Sequence, residues 1–353
     1  MFQKIWIGIV CALFIASPLC GATLDDQALT VRASSERQWT GVAVDDQGRI
    51  FVNYPYWAAT VPTSVAELVD GEPVPYPNPA WNNRKNPESF NAVQSVVIDS
   101  KNRLWVLDTN NPHFKGVEKA GPVLYQFDLK TNRKVKAFSF PEGVYRADSY
   151  FNDVRIDTKK EIAYITDSGN GALIVLNLGG GTSRRVLEGH PSVQSEVDLL
   201  VCNGRVWENR IDADGIALSD DGEYLYYIAL TSHTLYRIRT AALTDETLAS
   251  EELCKKVETV ATVPATDGIL FDRKGNLWMG ALESNGVNML DKDGNLHRVF
   301  QSPAIRWADS FAMGSNGDIY FTTSQIHLPP KDRGLYQLLS FNPQGVLKKQ
   351  KNK

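Results

Sequence analysis

The chain has 353 residues, 43% of them hydrophobic and 22% charged, an ordinary globular composition at a length that suits one large domain or two average ones. Its 37 basic and 41 acidic residues give a formal net charge of -4 and are mixed along the chain. With no basic face to neutralise phosphates, the sequence argues against nucleic acid as a partner.

Residues 1–22 read as a signal peptide: Lys4 supplies a charged start, 5–16 is almost wholly apolar, and 17–22 is small and turn-forming. The apolar run is too short to span a bilayer comfortably, and no later segment approaches the roughly 20 apolar residues that a membrane helix needs. Cleavage after Ala22 would release a mature chain, 23–353, to a secreted or periplasmic location. Lipidation of Cys20 is the competing reading, disfavoured because Leu19 stands where a small residue is expected. The leader takes Cys11 and Cys20 with it and leaves Cys202 and Cys254. Two cysteines in an oxidising compartment often pair, so a Cys202–Cys254 disulfide is weighed evenly against two buried thiols. The chain has no Asn-x-Ser/Thr acceptor, which fits a bacterial export route.

The first strand of the mature chain, 28–33, has no partner nearby in sequence. After it one pattern of apolar strand, polar turn and apolar strand recurs at 41–52, 95–106, 153–164, 215–226, 268–279 and 310–321. The Gly and Asn residues at most turn centres tolerate positive φ, so each unit is a β-hairpin. An aromatic residue recurs just inside the second strand: Phe51, Trp105, Tyr164, Tyr226, Trp278 and Tyr320. Repetition at one place assigns these rings to packing between neighbouring sheets rather than to a ligand. The intervals supply two further strands each, such as 123–129 with 135–140, or 234–239 with 256–263. A hairpin plus two strands is a propeller blade. The last interval offers only 334–341, so the N-terminal strand is expected to complete the sixth blade and close the ring. The fold class expected is all-β, a six-bladed β-propeller forming a single domain over 23–353. The longest interruption, 54–91, reads equally as a binding lid or as the outer strands of blade one plus a stiff connector.

Standard catalytic signatures are missing: there is no His-Glu-x-x-His, Gly-x-Ser-x-Gly, phosphate loop or dinucleotide fingerprint. The five histidines, His113, His190, His233, His297 and His327, are scattered, and loop histidines such as His233 and His327 are expected to be solvated. Topology is more informative. The innermost strands of a propeller line its axis, so the residues just before them gather at one mouth of the channel: Thr40, Gln94, Asn152 with Asp153, Asp214, Asp267 and Asp309. Carboxylates converging on a small, partly desolvated volume disfavour one another unless a cation, a metal or hydrogen-bond donors stabilise them. The competing reading is that each Asp caps backbone N–H groups of its own turn.

Three stretches, 94–109, 150–157 with 164–168, and 214–219 leading to 235–240, together resemble the major royal jelly protein and yellow family, over nearly all of the chain from about Gln38. The resemblance implies a secreted six-bladed propeller with a ligand site at the channel mouth. Some yellow-type relatives bind biogenic amines and some are credited with converting dopachrome, an activity uneven within the family. The expected partner is therefore a small cationic or aromatic molecule held by Gln94, Asn152, Asp153, Asp214, Asp267 and Asp309, with a weak dopachrome-converting activity as an extension. Single blades are also similar to the gluconolactonase and senescence-marker lactonases, which hold a divalent metal at this mouth with a Glu, two Asn and an Asp. Asn152 and Asp267 match two of those ligands, but Thr40 stands in place of the Glu and Asp214 in place of an Asn. Because Ca²⁺ accepts Asp for Asn, the alternative is a metal-dependent lactonase-like hydrolase with Asn152, Asp214 and Asp267 around Ca²⁺ and an Asp as general base. A third reading, a protein-interaction scaffold, needs no polar mouth. The export reading predicts that N-terminal sequencing of the exported protein starts at or near Thr23; a lipid-modified Cys20 at the N-terminus would contradict it.

Overall fold

The computed structural model describes residues 28–118 and 121–351, so the expected leader, 1–22, and the lipidation of Cys20 lie outside the described residues. Each repeat folds back on itself because one turn residue takes a left-handed backbone: Gly48 (φ 85°), Asn102 (55°), Glu161 (55°), Gly222 (72°), Gly275 (80°) and Gly317 (82°). Gly and Asn adopt this conformation readily; Glu161 bears the steric penalty of an L side chain there. A carboxylate then ties the turn. Asp99 Oδ1 accepts the backbone N–H groups of Lys101 and Arg103, and its Oδ2 accepts the Trp105 indole N–H at 2.8 Å. Asp272 repeats the arrangement with Lys274, Asn276 and the Trp278 indole at 3.0 Å. The two recurring tryptophans are thus fixed by turn chemistry as well as by packing. Phe51, Trp105, Tyr164 and Trp278 are fully buried and Tyr320 nearly so. In blade four the buried place is taken by Tyr227, while Tyr226 is half-buried, edge-on to Phe271 of the next blade at 4.9 Å.

Six four-stranded antiparallel sheets surround the axis. The first strand, β1 (Thr30–Ser35), belongs to the last of them. Blade one is β2 (Val42–Val44), β3 (Ile50–Asn53), β4 (Val65–Val69) and β5 (Glu72–Pro75). Blade two is β6 (Val93–Ile98), β7 (Arg103–Asp108), β8 (Val123–Asp128) and β9 (Arg133–Ser139), and blade three is β10 (Phe151–Asp157), β11 (Ile162–Asp167), β12 (Ala172–Asn177) and β13 (Ser183–Val186). An inserted two-stranded hairpin, β14 (Leu199–Cys202) and β15 (Arg205–Glu208), precedes blade four, which is β16 (Ala213–Leu218), β17 (Tyr224–Ala229), β18 (Thr234–Arg239) and β19 (Glu258–Thr262). Blade five is β20 (Ile269–Phe271), β21 (Leu277–Ala281), β22 (Gly286–Leu290) and β23 (Leu296–Gln301). Blade six is β24 (Ala308–Met313), β25 (Ile319–Thr323) and β26 (Tyr336–Phe341), completed by β1, which pairs antiparallel with β26 from Thr30↔Ser340 to Ser35↔Tyr336. The N-terminal strand therefore closes the ring, two residues further along than expected.

Apolar layers fill the spaces between blades. One joins Trp105 and Leu107 of blade two to Val154, Ile165 and Ile174 of blade three; another joins Trp278 and Val287 of blade five to Phe311, Phe321 and Phe341 of blade six. The long interruption divides: 65–75 forms the outer strands of blade one, Tyr76 and Trp81 pack into the layer between blades one and two, and only the segment just after β3 reaches the channel mouth. The expected Cys202–Cys254 disulfide is not formed; both are free thiols. The inserted hairpin carries Cys202 into a cluster with Leu230, Ala265, Leu282 and Trp307. Cys254 ends a short helix between β18 and β19, against the layer between blades three and four. Asp272→Ala, which strips acceptors from the buried Trp278 indole and two backbone N–H groups, should lower stability by roughly 2–4 kcal/mol. Glu161→Gly should raise it by about 1 kcal/mol. Chemical denaturation of the two variants beside wild type checks both signs.

Candidate binding site

The inner strands slip register at one level of the ring: between Val93 and Ser95, Phe151 and Val154, Ala213 and Gly215, and Ala308 and Phe311. Each bulge frees Gln94, Asn152 with Asp153, Asp214, or Asp309 with Ser310 from the ladder and re-aims the side chains. Asp267 reaches the same level from just before β20. The glycines after Asp214 and Asp267 are there for close approach. A Cβ on Gly215 would lie 2.3 Å from the Asp267 carbonyl oxygen, and one on Gly268 would lie 2.4 Å from that of Asp309.

Gln94, Asn152, Asp214, Asp267 and Asp309 line one cavity of about 450 Å³, with Trp57, Phe114, Tyr150, Trp207 and Trp307 as its aromatic wall. Trp57 stacks on Phe114 (5.6 Å between ring centres) and Phe114 on Tyr150 (4.5 Å), while Trp207 meets Trp307 edge to face at 4.9 Å. A continuous hydrogen-bond chain orients these groups. The Trp57 indole donates to the Tyr150 hydroxyl (2.7 Å), which donates to Gln94 Oε1 (2.8 Å); Gln94 Nε2 donates to Asn152 Oδ1 (3.0 Å), and Asn152 Nδ2 to Asp214 Oδ2 (2.5 Å). The Trp307 indole donates to Asp267 Oδ2 at 2.7 Å. Backbone strain concentrates here too: Trp307 (φ 65°), Phe114 (56°) and His113 (58°) are bulky residues in the left-handed region, each carrying a penalty of roughly 1–3 kcal/mol.

Asp214, Asp267 and Asp309 are buried, and none of their carboxylates accepts a backbone N–H among the described residues. They differ in this from the turn aspartates Asp99 and Asp272, so turn capping does not account for them. Burial, and after it the charges of Asp267 and Asp309, holds the Asp214 carboxyl well above the usual carboxylate range. Burial and then Asp267 do the same to Asp309, whose Oδ2 has no hydrogen-bond partner while its Oδ1 accepts from Ser310 Oγ at 3.2 Å. Asp267 is pushed up to about 6 by burial, against the opposing indole bond from Trp307.

Two expected mouth residues face elsewhere. Asp153 turns to the other side of its bulge, where it pairs with Arg155 (2.9 Å) and Ser95 (2.7 Å) beside a separate chamber of about 210 Å³. Thr40 is buried in the wall, its hydroxyl bonded by the Asn53 amide at 3.0 Å. His233 pairs with Glu283 at 2.8 Å. His327, expected to be solvated, is buried and stacked on Trp307 at 5.6 Å, its pKa lowered to about 4 by burial and the nearby arginines, so it is neutral at pH 7. The aromatic wall went unnoticed in the sequence. Tyr150 and Trp307 each stand two residues before a site residue, the same-face spacing of an extended run, and could have been found; Trp207 rides on a hairpin outside the repeat and could not. The donors do not fit a divalent cation at Asn152, Asp214 and Asp267. The Asn152 oxygen is taken by Gln94 and its NH₂ faces Asp214, and the described residues contain no group of three or more His, Cys, Asp or Glu set to hold a metal.

Fold and site define a six-bladed propeller with an acidic, aromatic-walled cavity at one mouth of its ring. The family model of the major royal jelly proteins matches residues 91–320, more than half of the chain, and the chain belongs to that family. It is similar to major royal jelly protein 3 of Apis mellifera, 24% identical over 240 residues that cover 65% of this chain and 43% of that protein. It is also similar to protein yellow of Drosophila madeirensis (25% over 281 residues; 70% and 49%) and to the yellow-related salivary protein LJM17 of Lutzomyia longipalpis (26% over 235 residues; 59% and 57%). The chain spans about half the length of the curated relatives it matches. Among solved structures, a gluconolactonase from Xanthomonas campestris (TM-score 0.56, 14% identity, 94% of this chain and 100% of that one) shares the fold. So does a luciferin-regenerating enzyme (0.57, 13%, 90% and 95%).

Because the cluster's pKa values lie above the unfolded value of about 3.9, the folded state binds the extra protons, and the cluster's contribution to stability falls as pH rises through about 4 to 6 and beyond. Asp309→Asn removes one of the repelling charges. It should match wild type near pH 4 and become more stable than wild type by about 1 kcal/mol or more toward pH 8. Calorimetric melting across that range reads the difference, and a variant destabilised equally at every pH would contradict it.

Proposed function

We propose that this cavity binds a small organic cation carrying an aromatic ring, such as an aryl-alkyl amine. The observation that carries the reading is the set of three buried carboxylates, none capped by backbone N–H, facing five aromatic side chains. An ammonium group answers that deficit with up to three donors. Its ring would lie among Trp57, Phe114, Tyr150, Trp207 and Trp307, where stacking and cation–π attraction add roughly 0.5–2 kcal/mol. The volume falls within the range of about 300–1,000 Å³ typical of small-molecule sites. The amine binding known among yellow-type relatives supports the same class of ligand, and the leader-like residues 1–22 support an exported location. A second reading, a dopachrome-type proton shift on the bound ring, is favoured by Asp267, whose pKa of about 6 suits a general acid or base near neutrality.

Calorimetric titration against tryptamine, dopamine and Ca²⁺ tests the binding reading. A charge-assisted hydrogen bond contributes about 1.5–3 kcal/mol, so Asp267→Asn should weaken amine binding by roughly ten- to a hundredfold without loss of fold. Stoichiometric Ca²⁺ binding, or no amine binding by wild type, would overturn the proposal.

A further inference from the structure

The inserted hairpin β14–β15 is the only sheet among the described residues that belongs to no blade. Its base is pinned: Glu196 and Val197 N–H groups donate to the Thr231 carbonyl at 2.9 and 3.2 Å, Ile211 N–H donates to Thr231 Oγ1 at 2.9 Å, and Asp212 N–H donates to Ser168 O at 3.0 Å. Between these anchors the strands reach across to blades five and six. Asn203 N–H donates to Glu283 O at 2.9 Å, beyond β21. Arg205 pairs with Asp332, in the loop before β26, at 3.1 Å, with both side chains substantially exposed. The hairpin is two-faced. Leu200, Cys202 and Trp207 point toward Leu282, Ala265 and Trp307, whereas Leu199, Val201 and Val206 are 41–55% exposed.

We propose that β14–β15 is a hinged lid whose lifting, limited by the Arg205–Asp332 clasp, admits ligand to the acidic cavity and whose closure lays Trp207 against it. This rests on the ligand reading above. A base pinned by backbone hydrogen bonds, with a far end sealed only by the apolar face of Leu200, Cys202 and Trp207, one backbone bond and one exposed ion pair, is a unit that can open locally while the ring stays folded. An exposed ion pair is a weak and salt-sensitive fastener, suited to frequent release. Trp207 reaches the cavity only through this hairpin, so closure completes the aromatic wall. The hairpin also carries its own reporter. Cys202 is 1% exposed beneath it, and burial pushes its thiol up to about 12, so it reacts only when the lid lifts.

The test follows maleimide labelling at the peptide that carries Cys202, in native full-length protein, together with stopped-flow binding of tryptamine. Asp332→Ala and Arg205→Ala should each speed Cys202 labelling by roughly two- to fivefold at unchanged melting temperature. Both variants should raise the on- and off-rates for tryptamine together, with Kd moving less than about threefold. Saturating tryptamine should slow labelling of wild type. Labelling and binding rates that match wild type in both variants would overturn the lid, even if tryptamine binds tightly, and would leave the ligand reading standing. Faster labelling in both variants with no amine bound would uphold the lid and remove only the ligand class.

Discussion

The carbonyl oxygens of Asp267 and Asp309 stand against Gly215 and Gly268 at separations that no side chain would permit, and this close approach of inner strands governs the rest of the molecule. It brings three carboxylates from three blades to one level of the axis, where each is desolvated and each repels the others. The bulges finish the work by turning those side chains out of the ladder. Neither feature helps the ring to fold. A polar layer without backbone caps opposes folding, and the apolar layers between blades must offset it.

The surroundings of the carboxylates are built from parts that are remote in sequence. Trp57 follows β3, Phe114 follows β7, Tyr150 precedes β10, Trp207 lies on β15 and Trp307 precedes β24. Trp57 and Tyr150 keep their places through the hydrogen-bond chain that ends at Asp214, and Phe114 and Trp307 are set by left-handed backbone. Such strain persists only where the surrounding structure over-determines it. The pairing of β1 with β26 supplies that rigidity on the scale of the whole ring, since an unclosed propeller could relax the crowding at its axis.

Much of the fold is legible in the sequence because its determinants are local. A left-handed turn residue, an Asp two to four residues before it or its neighbour N–H groups, and an aromatic in the second strand lie within a dozen residues and recur. Glu161 is the exception, holding a position where Gly or Asn would have announced the turn. At the site, placing residues before the inner strands finds Gln94, Asn152, Asp214, Asp267 and Asp309, because that position is set by topology. It misplaces Asp153, since a bulge sends adjacent residues to opposite chambers and leaves no mark in the residue pattern. Cys202 and His327 depend on the inserted hairpin and on Trp307, contacts of long sequence separation that spacing does not encode.

Three carboxylates without backbone caps share one desolvated volume and cannot all ionise at neutral pH in the free protein. Carboxyl ¹³C shifts in aspartate-labelled protein, assigned by the Asp214→Asn, Asp267→Asn and Asp309→Asn variants and followed across pH, measure this directly. Asp214 and Asp309 should titrate well above the ordinary aspartate range and Asp267 at about 6, with the resonances shifting together as those of coupled groups do. Three independent titrations near 4 would contradict it.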